Sequence, residues 1–104
     1  MTTFDEREHA FENKFAHDEE LKFKAEARRN KLLGLWVAGL LGKTGDAAAQ
    51  YARELVAADI AEAGEEDVFR KVTADLGAKA DAPTIRARMS ELMAEAKRQI
   101  MDEI

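Results

Sequence analysis

The stretch LKFKAEARRNKLLGLWVAGLLGKTGD, residues 21–46, decides how the rest of the chain must fold. Its apolar residues do not alternate, and no β-branched run accompanies them, so it does not read as a strand. At about 100° per residue, Leu21, Ala25, Leu32, Leu35 and Trp36 form one stripe of a helix. Phe23, Ala27, Gly34 and Leu41 fall on roughly the opposite side. A helix that is apolar on two faces packs against two things. One is the remainder of a bundle; the other is the N-terminal segment or a partner. The apolar centre, Leu32 to Leu41, is about half the ~20 residues that cross a bilayer, so it predicts a buried helix with no insertion into a membrane. Gly42 and Gly45 supply its stop and turn.

Working outward, every other segment also reads as helix. Residues 46–63 carry Tyr51, Leu55, Val56 and Ile60 and end at Gly64. Residues 66–79 carry Val68, Phe69, Val72 and Leu76. The break KADAP (79–83) follows, with Asp81 placed as an N-cap and Pro83 in the first turn, where its missing N–H costs little. The last helix runs to the end with the stripe Ile85, Met89, Leu92, Ala96 and Ile100. On the N-terminal side, Thr3 and Glu6 match a capping box. Nothing between that box and residue 18 stops a helix, so the first segment is free to run on into residues 18–41. Short links between amphipathic helices favour antiparallel neighbours. The expected fold is all-α: a small four-helix bundle over residues 19–104, with an N-terminal amphipathic helix or extension over residues 1–18.

The totals fit that picture. A chain of 104 residues suggests one domain, and 46% hydrophobic with 36% charged residues is too apolar for disorder. There is no cysteine, hence no disulfide framework and no thiolate chemistry, which suits a reducing cytoplasm. The acidic N-terminus lacks the apolar run of a signal peptide. The net charge of −5 disfavours a nucleic-acid binder. Its distribution is uneven: residues 1–20 hold seven acids and two bases, whereas residues 21–43 hold six bases and one acid. Blocks of opposite sign attract each other or meet different partners.

Few residues carry chemistry. LGKTGD resembles the tail of a P-loop, but Val37 stands where the motif needs glycine, and the segment follows a helix. His9 and His17 sit about 12 Å apart along a helix, too far for one metal ion. Ser90 is the lone serine, and no order of Ser, His and acid stands out. The chain is therefore read as a non-enzyme with no required cofactor and no metal. Tyr51 and Trp36 are expected as core anchors, and Met89, Met93 and Met101 as core filler. Lys24, Arg28 and Lys31 lie on one face at i, i+4, i+7, with Arg29 beside them. Such cations suit phosphate groups; equally, they suit a solvated flank whose stems cover apolar surface.

Phe4, Phe11 and Phe15 fall within about 40° of one line on a helix. Arg7 and Lys14 flank one shoulder of this ridge; Glu8 and Glu12 flank the other. Three buried phenylalanines contribute on the order of 5–9 kcal/mol, and an isolated helix of about 15 residues is marginal in water. The segment needs a surface. Its own bundle or another protein can supply one, and helix-in-groove recognition uses this spacing.

The sequence FDEREHAFENKFAHDEELKFKAEARRNKLLGLWVAGLLGKTGD, with EDVFRK further on, resembles the zeta subunit family of bacterial F-type ATP synthases. The resemblance covers nearly the whole chain in order; Gly39 stands where a larger residue is expected, and the KADAPTIRARM link is variable territory. It implies a four-helix bundle that inhibits ATP hydrolysis by the catalytic head, formed by the alpha, beta and gamma subunits. It also implies that the N-terminal segment enters a subunit interface, with Phe4, Phe11 and Phe15 as apolar anchors and Arg7 and Lys14 as polar contacts. ADP or ATP is implied as a regulatory ligand, for which Lys24, Arg28, Arg29 and Lys31 are the candidate phosphate contacts. The implied location is cytoplasmic, peripheral to the membrane-bound synthase. Two other classes stay open: a helical adaptor that offers the ridge to a different protein, and a nucleotide-sensing module.

Overall fold

Asp18 sets the start of the bundle. Its backbone is extended (φ −114°, ψ 104°), and its carboxylate accepts the Leu21 N–H at 3.1 Å. An acceptor side chain at this position satisfies an N–H that has no partner inside the helix. α1 follows as Glu19–Leu40, with Glu19 and Glu20 in its first turn, where the helix dipole favours acids. The expectation that the N-terminal segment runs on unbroken into this helix is corrected here. The aspartate competes with the helical backbone for its neighbour's N–H and ends the continuity at residue 18. The computed structural model describes the backbone of residues 18–61 and 65–103 and the side chains of these residues except 59–61. The Ile60 side chain and Gly64 fall outside that set.

The GKTG segment closes α1 as a helix stop. Gly42 has φ +76°, its N–H donates to Gly39 O at 3.2 Å, and the Lys43 N–H donates to Ala38 O at 2.8 Å. These are the paired bonds of a left-handed helix terminus, which glycine enters without a Cβ penalty. α2 is Gly45–Ala61, α3 is Glu65–Leu76, a 3-10 turn covers Gly77–Lys79, and α4 is Ala82–Glu103. Asp81 caps α4: its Oδ1 accepts the Thr84 N–H at 2.9 Å. Pro83 sits in the first turn, as its chemistry requires. Among the described residues the fold is four α-helices and one 3-10 turn.

α1 packs along both α2 and α4, and α3 closes the far side against α2 and α4. The main core joins Leu33 and Val37 of α1, Tyr51 and Leu55 of α2, Val68 and Val72 of α3, and Ile85 and Met89 of α4. A smaller cluster lies at one end, where Leu21 and Ala25 meet Ile100, with Met93 and Met101 against them. The last helix buries the stripe read from its sequence, with Leu92 partly covered.

α1 buries a different set from the one its periodicity suggests. Leu21 and Ala25 are buried, Leu32 and Trp36 are half-buried, and Leu35 is exposed. Leu33, Gly34, Val37 and Ala38 are buried in their place. The reason is geometric. α1 touches two neighbouring helices, so its buried surface covers two arcs, and a single stripe drawn through the large residues passes between them. Gly34 marks the closest approach: a Cβ built on it would lie 2.6 Å from the Cα of Ala52.

Polar side chains tie α2 to α3. The Tyr51 hydroxyl donates to Asp75 at 2.6 Å, and Lys71 donates to the same carboxylate at 3.1 Å, with its ammonium 5.3 Å from the Tyr51 ring centre. Burial, then the bond to Asp75, push the Tyr51 phenol well above its ordinary value of 10.0. Burial pulls Asp75 upward, but the hydrogen bonds from Tyr51 and Lys71 outweigh it and hold that carboxyl below the usual range. The folded chain thus keeps the phenol proton where the unfolded chain releases it. The linked stability is present below pH 10 and falls as pH rises through the folded value. Tyr51 is the only tyrosine, so an ultraviolet titration of phenolate reads it alone. The folded protein is expected to titrate well above 10.0, and the urea-unfolded protein near it. A folded midpoint at the ordinary value would show that the pair with Asp75 is absent in solution.

Candidate functional site

The basic stretch of α1 divides when the side chains are placed. Arg28 is held at the helix pair α1–α4: its Nη1 donates to Gln99 at 3.0 Å and to Glu103 at 2.8 Å, and its Nη2 reaches the other Glu103 oxygen at 3.0 Å. This fork geometry is the preferred way for a guanidinium to meet a carboxylate. The hydrogen bond to Glu103 raises the Arg28 pKa, and the same bond lowers that of Glu103. Arg29, one residue on, points to a different side and is 2% exposed. Its Nε donates to Asn30 Oδ1 at 2.7 Å, and its Nη1 reaches Glu65 at 3.3 Å. Asn30 is fully buried, and among the described residues its Nδ2 has no hydrogen-bond partner. Lys24 and Lys31 stand exposed on the outer face of α1. The four cations named from sequence therefore do not converge on one point.

What lies beside Lys31 is a groove. On the outer face of the α1–α2 pair, Lys31 and Leu35 form one wall; Ala52, Arg53, Val56 and Ala57 form most of the other. The space encloses about 520 Å³ and its lining is mainly apolar. Small residues create it. Gly34 and Ala52 let the helices approach closely, and the alanines of α2 leave the surface above that crossing shallow. The outcome is an apolar trough with one cation on each side, Lys31 and Arg53. Such a surface suits a ligand that is apolar along its length and anionic at its edges.

Sequence reading did not find this groove, because its residues come from two helices and none carries a motif. The signal that was available is Leu35: a leucine 42% exposed at the centre of the most apolar stretch of the chain. Phe23, near the start of the same helix, is 56% exposed. Phe4, Arg7, Phe11, Lys14 and Phe15 lie outside the described residues, as do His9 and His17. Among the described residues, no group of three or more His, Cys, Asp or Glu could hold a metal ion. No described helix is long and apolar enough to cross a membrane.

Comparison with known proteins adds the remaining evidence. No curated protein matched the sequence. A solved structure, determined by solution NMR, is 60% identical to this chain; the match covers 81% of this chain and 99% of that one, with a TM-score of 0.74. A family model described as ATPase inhibitor subunit zeta matches residues 1–99.

Proposed function

Because the chain belongs to the ATPase inhibitor subunit zeta family, we propose that it blocks ATP hydrolysis by the catalytic head of an F-type ATP synthase. Residues 1–18 are the inhibitory segment, and residues 19–104 are the bundle that carries it. The observation that carries this reading is the extent of the family match. It spans the phenylalanine ridge and the bundle together, while the cap at Asp18 starts the bundle as a separate helix.

The mechanism needs no chemistry from this chain. The catalytic head changes its subunit spacing during turnover. A helix wedged between subunits binds one of those arrangements better than the others and raises the barrier to leaving it. Phe4, Phe11 and Phe15 supply the apolar anchors along one face, and Arg7 and Lys14 supply polar contacts beside them. The site of action is peripheral to the membrane. ADP or ATP acts as a regulatory ligand in this reading. Of the four cations first considered, Lys24 and Lys31 are the best placed for phosphate, since Arg28 is paired with Glu103 and Arg29 is buried.

The test is inhibition of ATP hydrolysis by the cognate catalytic head. Removing one anchor ring in Phe11→Ala forfeits about 1.5–3 kcal/mol of burial, so the concentration for half-inhibition is expected to rise about ten- to a hundredfold. The melting curve by circular dichroism checks that the bundle is intact. Unchanged inhibition by this variant, with Phe4→Ala and Phe15→Ala also unchanged, would remove the ridge from the mechanism and favour a different inhibitory surface. Amide shifts on titration with ADP test the ligand: shifts absent at residues 22–31 would remove the basic face from it.

A further inference from the structure

We propose that residues 1–17 fold back along α1 and lie over the groove between α1 and α2, so that the chain covers its own phenylalanine ridge when no target is bound. This goes beyond the inhibitory reading, and its test involves no ATP hydrolysis, so the two can fail separately.

Three observations converge. The first is direction: the extended backbone of Asp18 breaks the axis of α1, so the preceding residues leave it at an angle. The second is length. A helix of 17 residues spans about 25 Å, and the rise from Asp18 to Leu35 along α1 is also about 25 Å. A return helix that starts at the Asp18 bend ends beside the groove. The third is complementarity in register. An antiparallel return places each residue opposite its mirror about position 18. Glu12 then faces Lys24, and Asp5 faces Lys31. Phe11 and Phe15 straddle the exposed Phe23, and Phe4 enters the trough beside Leu35. Residues 1–17 hold four acids and two bases, whereas the surface offers Lys24, Lys31 and Arg53, all exposed. The groove and Phe23 thus present an apolar, cationic track to a segment that is apolar along one line and acidic overall.

The absence of cysteine makes the test clean. Thr3→Cys in the full-length chain takes a single nitroxide label. Paramagnetic broadening is expected at the amides of residues 31–35 and 53–56, with a several-fold loss of peak intensity there and little at α3. The same label in a chain that also carries Leu35→Glu and Arg53→Glu, both at exposed positions, is expected to release that broadening. Three results overturn the proposal: no broadening on α1 and α2; broadening centred on another face; or broadening that survives the two groove substitutions. A mixture of isotope-labelled, untagged chain with tagged, unlabelled chain completes the test. Broadening of equal strength in that mixture would assign the groove to a second copy and overturn docking within one chain.

Discussion

Gly34→Val is expected to lower the stability of the bundle by about 3 kcal/mol or more, toward the upper end of what overpacking costs. The added Cβ would stand 2.6 Å from a backbone atom, the Cα of Ala52, and 3.1 Å from its Cβ. Backbone cannot rotate away as a flexible side chain can, so α1 and α2 must separate along their shared face. Helix propensity works in the other direction, since glycine in a helix interior is worse than alanine by about 1 kcal/mol; valine recovers only part of this. For a domain of this size, a loss of about 3 kcal/mol lowers Tm by roughly 12–24 °C. Thermal unfolding followed by circular dichroism checks it. Gly39→Ala is the matched control: it lies in the same helix with nothing within 4 Å of its Cβ, and it should raise Tm slightly. Equal Tm for Gly34→Val and the parent chain would show that the two helices are not in close contact there.

Arg29→Met is expected to cost about 2–3 kcal/mol, although methionine packs well. The loss falls on Asn30. Its Oδ1 accepts from Arg29 Nε, and its Nδ2 already lacks a partner among the described residues. Without the guanidinium, both ends of a fully buried amide are unsatisfied, and each such group costs about 1–3 kcal/mol. Glu65 loses little, because it is more than half exposed and returns to water. The double variant Arg29→Met, Asn30→Leu removes donor and acceptor together and replaces the amide by its apolar shape-mate. It should recover most of the loss, as buried polar pairs often do on joint replacement. Urea unfolding of the two single variants and the double gives the coupling directly. Additive losses would mean that the two side chains do not depend on each other.

These two cases also show which parts of the structure could be read from sequence. Helix ends were legible because their chemistry is local. Asp81 and Pro83 announce the start of α4, Gly42 the end of α1, and the alternation of Ile85, Met89, Ala96 and Ile100 needs only one buried face. α1 was harder because it is buried on two arcs. The large residue Leu35 falls on the solvent side, while Gly34, with no side chain at all, sits at the tightest contact. Arg29 and Asn30 were hidden by residue type, since arginine and asparagine are seldom buried. Position gave them away: Arg29 lies midway between Ala25 and Leu33, four residues from each, on a line that is otherwise core. Asp18 was misread for a related reason. In a segment crowded with acids, nothing in composition distinguishes the aspartate that caps from those that merely carry charge. The groove at Lys31 and Arg53 was not legible, because it exists only once two helices are placed side by side.

The core described above is two clusters of unequal size, and that inequality has a kinetic consequence. Leu21, Ala25 and Ile100 hold the start of α1 against the end of α4, helped by the exposed fork between Arg28 and Glu103. Freeing them exposes far less apolar surface than opening the main cluster, so this end can unzip without global unfolding. Amide protons in the first two turns of α1 then exchange with solvent through a fluctuation smaller than whole-domain unfolding. The place where residues 1–18 are anchored is thus the most readily loosened part of the bundle.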